Sequence, residues 1–240
     1  MADRFNVSAA SLRESLSGKA ASAAMSVAIV SSLAGPQAAQ AETVWPNTLT
    51  ARLEALALLQ TLNADLLSHD SATETLRRWC EDHRLGPATA ITAERVHGPD
   101  KSADAAVLAA LNAAPGEVVR YRHVRLACGE RVLSEADNWY LPAKLTPEMN
   151  RELDESDTPF GVVVKGLNFH RHTLSAVLLA KPLAEGWDVA GVAPATGEAA
   201  GYAIPGQVIQ HRAVLTNAAG EPFSVVVETY TDKVLPDRAP

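Results

Sequence analysis

Aromatic side chains are scarce: Phe, Trp and Tyr make up only 5% of the 240 residues. Packing must therefore fall to aliphatic residues and alanine, and a hydrophobic fraction of 47% is enough for a proper core. Excess positive charge is missing as well. With 21 basic and 28 acidic residues the net charge is −7, which leaves no basic face for a nucleic-acid backbone. Two cysteines, Cys80 and Cys128, are too few for a disulfide framework or a zinc site. They could pair in an oxidising compartment, but the expectation is two separate buried or half-buried thiols, one on an apolar helix face and one at a strand end. The chain also lacks a phosphate-cradling glycine loop, a G-x-S-x-G elbow and a basic-aromatic stripe, so those chemistries have no anchor here. His170 and His172 share a strand face, but nothing in the sequence supplies their partners, so no metal is expected.

What is present begins with a segment that reads as an address rather than as fold. Residues 1–41 carry Arg4, Arg13 and Lys19, then an alanine-rich apolar run from Ala20 to Ala34, then Ala39-Gln40-Ala41. That is the order of a signal peptide, with cleavage expected after Ala41 and a periplasmic or secreted destination. A start codon placed too early is the other reading, and it would keep the protein cytoplasmic. The apolar run is too short and too alanine-rich to span a bilayer.

From residue 42 to 240 one domain is expected. Leu49, Leu53, Leu56, Leu59 and Leu62 recur at helical spacing, and Ser71 and Glu74 have capping-box spacing at the start of a second helix. Leu76, Trp79, Cys80 and His83 form the apolar face of that helix, and Gly86-Pro87 ends it. A strand is expected over 88–97 and a short alanine-rich helix, capped by Ser102, over 103–112. Residues 117–127 and 131–141 read as a hairpin around Cys128-Gly129-Glu130. Thr146-Pro147 and Thr158-Pro159 read as helix starts. Three more strands follow at 168–180, 207–216 and 222–232, with a Gly-, Ala- and Pro-rich loop over 184–206. Helices first and sequential strands after them argue for α+β with an antiparallel sheet of about six strands.

Two residues on those strands could carry chemistry. Alternation puts Val118, Arg120, Arg122, Val124 and Leu126 on one face, so Arg122 stands among apolar neighbours. A guanidinium there either anchors a substrate carboxylate or closes an internal salt bridge. Glu228 ends the run Phe223-Ser224-Val225-Val226-Val227-Glu228. It is either a desolvated carboxylate suited to acid–base work or the point where the strand leaves the core.

The order of these segments resembles the bacterial chorismate pyruvate-lyase family. The resemblance rests on the arginine strand Tyr121-Arg122-His123-Val124-Arg125-Leu126, the Gly129-Glu130 turn, Thr158-Pro159-Phe160-Gly161, Arg171 and the strand bearing Glu228. A leucine-rich first helix, Leu66-Leu67 and Asp70-Ser71-x-Thr73 extend it to roughly residues 47–236. It implies a chorismate lyase-like fold with helical flaps over the ligand. It also implies Arg122 as carboxylate binder, Glu228 as catalytic residue, and Ala72, Ala136, Phe160 and Arg171 lining the substrate site. The step from Pro222 to Glu228 is longer than in the family by a residue, which leaves open the face on which Glu228 falls.

The activity so implied is elimination of enolpyruvate from chorismate to give 4-hydroxybenzoate and pyruvate, with no cofactor because aromatisation drives the reaction. A related fold serves as a small-ligand sensing domain in bacterial transcription regulators. The alternative is therefore an exported, non-catalytic binding protein for a small aromatic or pre-aromatic carboxylate.

Overall fold

Residues 222–231, which include Val225-Val226-Val227, are the most β-prone stretch of the chain, and they form a strand with neighbours on both sides. The computed structural model describes residues 43–86, 90–191 and 201–238. The expected signal segment, 1–41, lies outside these residues, as does the middle of the expected loop at 184–206.

The main sheet comprises β2 (Ile91–Arg95), β3 (Arg120–Cys128), β4 (Arg131–Tyr140), β5 (His170–Leu178), β7 (Gln207–Thr216) and β8 (Pro222–Thr231). Its order is β2-β3-β4-β8-β7-β5, antiparallel at every step. A second, two-stranded sheet joins β1 (Thr43–Trp45) to β6 (Tyr202–Ile204), so the expected loop over 184–206 contains a strand. It also contains a short helix, α6 (Trp187–Ala190). The α+β class, with six antiparallel strands and helices packed over them, is the architecture the chorismate lyase-like resemblance implies.

Two helices pack against one face of the sheet. These are α1 (Leu49–Ser68), capped by Thr48, and α2 (Ala72–Asp82), capped by Ser71, whose hydroxyl accepts from the Glu74 amide. The buried stripe of α1 is Ala51, Ala55, Leu59, Leu62 and Leu66, while Leu49 and Leu53 face solvent. This corrects the leucine stripe read from the sequence: the alanines face inward, where a small side chain lets the helix lie close to its neighbours. On the opposite face, α3 (Ala105–Leu111) buries Val107 and Leu111 with Trp139 and Val225. Its cap is Asp104, not Ser102, because the Asp104 carboxylate reaches the Val107 amide at 2.7 Å. At one end of the sheet, α4 (Pro147–Glu155) and the short α5 (Phe160–Val163) pack Leu153, Phe160 and Val163 with Tyr140, Leu215 and Phe223.

Cys80 and Cys128 are bonded, which corrects the expectation of two free thiols. Helix α2 lays its inward face on the end of β3, and the two Cα atoms stand 6.3 Å apart, within disulfide range. Gly86 allows the contact, since a Cβ there would lie 3.0 Å from the Cys128 carbonyl oxygen. Among the described residues no helix is long and apolar enough to cross a membrane.

Candidate functional site

The strand register fixes the site. Opposite residues in adjacent antiparallel strands share a face. Val124 of β3, Ala136 of β4, Glu228 of β8 and His211 of β7 form one such row. The next row holds Arg122, Asn138, Val226 and Ala213. Arg122 and Glu228 therefore point the same way, separated by two inter-strand spacings and one two-residue step, with Cα atoms ~12 Å apart. Glu228 does not mark an exit from the core: it is buried, with valines before it and Tyr230 after it on its own strand.

Between these two residues lies a cavity of about 50 Å³. All six residues singled out from the sequence (Ala72, Arg122, Ala136, Phe160, Arg171 and Glu228) line it. Val124, Leu126, Leu215 and Val226 give it an apolar floor, and the starts of α2 and α5 roof it. The two roof elements meet at Gly161, where a Cβ would stand 3.6 Å from the Ser71 hydroxyl and 3.7 Å from that of Thr73. Asp70, just before α2, accepts from the Arg171 backbone amide at 2.7 Å and so ties the roof to β5.

The two arginines differ in what balances them. Arg171 reaches Glu228 Oε2 at 2.5 Å, and Tyr230 donates its hydroxyl to the same oxygen at 3.0 Å. Burial pulls the Arg171 pKa down, but Glu228, Tyr230 and Asp70 together more than offset it and leave the value raised. Glu228 Oε1 has no hydrogen-bond partner among the described residues.

Arg122 is 2% exposed and donates only to the Ser156 and Thr158 carbonyl oxygens, at 3.2 and 3.3 Å. No carboxylate among the described residues pairs with it, and its Nε–H has no acceptor. Burial lowers its pKa, and nearby Arg95 adds to the effect. Both lining carboxylates, Glu228 and Asp70, lie on the Arg171 side, which leaves the Arg122 guanidinium as the cation of the lining without a carboxylate partner among the described residues.

Sequence reasoning missed Asn138, Tyr230 and His211. Asn138 lines the cavity with its Oδ1 accepting from Ser224 Oγ at 2.7 Å. Tyr230 could have been found, because it lies two residues beyond Glu228 and so shares its face. His211 bonds Asn63 of α1 through Nε2 at 2.8 Å and packs edge-on against Tyr230. No local pattern marks Asn138 or His211, whose partners are remote in sequence. Among the described residues no group of His, Cys, Asp and Glu could hold a metal ion.

No family model matches the chain. The uncharacterized protein y4mC of Sinorhizobium fredii is 53% identical over 198 residues, covering 82% of this chain and 83% of that protein. The chain belongs to the y4mC family. Among solved structures, the effector domain of PhnF from Mycobacterium smegmatis overlaps with a TM-score of 0.43 at 13% identity, over 71% of this chain and 94% of that one. The C-terminal domain of the histidine utilization repressor from Pseudomonas syringae pv. tomato overlaps at 0.38 and 13%, over 62% and 97%. Overlap at these scores is partial, and the fold of the y4mC family member is read from its own strand order and register.

Proposed function

We propose that the cavity binds a small aromatic or pre-aromatic carboxylate, with Arg122 as its anchor. The observation that carries this reading is the buried Arg122 guanidinium, which has no carboxylate partner among the described residues although Arg171 has one. An unpaired buried cation is unfavourable in the empty protein, and an incoming carboxylate relieves it. Ala136, Ala72 and Phe160 would flank the ring. Arg171 and Glu228 stand at the far end, where Glu228 Oε1 would accept from a hydroxyl. At about 50 Å³ the cavity is well below the ~150 Å³ that holds a benzene ring, so the α2 and α5 roof would shift to admit the ligand. Calorimetric titration of the full chain with 4-hydroxybenzoate tests the reading: saturable binding lost in Arg122→Ala supports it, and no binding by wild type removes it.

A second reading, turnover, is favoured by the position of Glu228 in the same cavity. Chorismate would place its ring carboxylate on Arg122. The ring-to-ether C–O bond would break, its electron pair would leave with enolpyruvate, and Glu228 would take the ring proton as the ring aromatises. Glu228 would then return that proton to the departing enolate, which becomes pyruvate. Chromatography for 4-hydroxybenzoate and pyruvate, with Glu228→Gln as the control, separates catalyst from binder.

The binding reading also fits an exported protein. Chorismate is made in the cytosol, and the Cys80–Cys128 disulfide belongs to oxidising compartments. Residues 1–41 as a signal peptide, with 42–240 as the mature domain, complete this proposal. Mass spectrometry of the protein recovered from its native host would reveal a mature N-terminus at Glu42.

A further inference from the structure

A lone guanidinium holds a carboxylate but discriminates poorly between anions of different shape, so a second donor beside it matters. We infer that Asn138 is the other half of the carboxylate clamp, donating its amide N–H groups to the ligand next to Arg122. The inference rests on the carboxylate-binding reading above and adds a residue that sets specificity.

Three observations converge on Asn138. In the β3–β4 ladder it is the direct partner of Arg122, which places the two Cβ atoms ~5 Å apart on one face. It lines the cavity and is only 4% exposed. Its amide is also oriented: Oδ1 accepts from the hydroxyl of the fully buried Ser224 at 2.7 Å. With the oxygen held there, Nδ2 lies on the other side of the amide and has no acceptor among the described residues. A buried amide donor is seldom left unpaired, so ligand or water is its natural partner. Ser224 acts through Asn138 and is a positioning residue.

Such a clamp favours a carboxylate over a carboxamide, because every donor in it needs an acceptor and the amide brings N–H groups of its own. A residue that merely tied β4 to β8 would not distinguish the two ligands. Titration of the full chain with 4-hydroxybenzoate and with 4-hydroxybenzamide separates these roles.

Asn138→Asp keeps the shape and an acceptor for Ser224 but presents negative charge to the ligand. It should weaken the benzoate by about 100-fold while leaving the benzamide within about threefold of wild type. Ser224→Ala leaves Asn138 in place but frees its amide, and should cost the benzoate about fivefold with little change for the benzamide. That second variant carries the test if Asn138→Asp does not fold. Equal losses for both ligands, or none, in a wild type that binds benzoate would overturn the clamp and leave the binding reading intact. Failure of wild type to bind either ligand would overturn both.

Discussion

Arg171 reaches from β5 over β7 to Glu228 on β8, and the two close a buried ion pair at 2.5 Å, their side chains 4% and 8% exposed. Breaking such a pair from one side strands a charge in the interior. Arg171→Met should therefore lower the free energy of unfolding by about 3–5 kcal/mol, read by urea denaturation. Adding Glu228→Gln should recover part of that loss, and the double-mutant cycle should show favourable coupling between the two positions.

Arg122 should behave in the opposite way. Its cation is buried without a carboxylate partner among the described residues, so Arg122→Met removes a desolvated charge and should leave the thermal midpoint unchanged or raised. The same change should weaken 4-hydroxybenzoate by about 100-fold, near 3 kcal/mol. A variant that loses both binding and stability would mark Arg122 as structural.

Part of the layout of the cavity was legible in the sequence. Alternation put Arg122 on an apolar face, and the resemblance drew Ala72, Ala136, Phe160, Arg171 and Glu228 to one site. What could not be read was which arginine takes the protein's own carboxylate. That depends on β8 lying beside β7 and β7 beside β5, a tertiary pairing with no local signature. The Asn138–Ser224 contact escaped for the same reason, as did the disulfide, whose cysteines are 48 residues apart in sequence. The leucine stripe of α1 misled because helical spacing shows that a face exists and not which of two apolar faces the sheet accepts.

Removing the disulfide is a separate test. Cys80→Ala with Cys128→Ala opens a 48-residue span of the unfolded chain and should cost about 2–4 kcal/mol. The bond pins α2 by its C-terminal half, while the start of the same helix roofs the cavity. Ligand release, followed by stopped flow, should be faster in the double variant than in wild type.

Acid should weaken the fold through His211. Its pKa lies below the ordinary 6.5, chiefly through burial and then through Arg171, with Glu228 pulling the other way. The unfolded chain takes up that proton first as pH drops, so stability is full above about 6.5 and declines as pH falls from there towards the lower folded value. His83 shifts in the same direction, again mainly by burial. Thermal midpoints should therefore decrease between pH 7.5 and 5. His211→Asn, which cannot take a proton, should show a smaller decrease, though not zero.

The sheet order has a consequence for how the molecule comes into being. β8, the last strand of the sheet to be synthesised, sits between β4 and β7, so no shorter stretch of nascent chain can join the two halves of the sheet. Until it arrives, the Arg122 hairpin and the Arg171 strand are separate pieces with no shared floor. The sheet, and with it the cavity between Arg122 and Glu228, therefore closes only when synthesis of the chain is nearly finished.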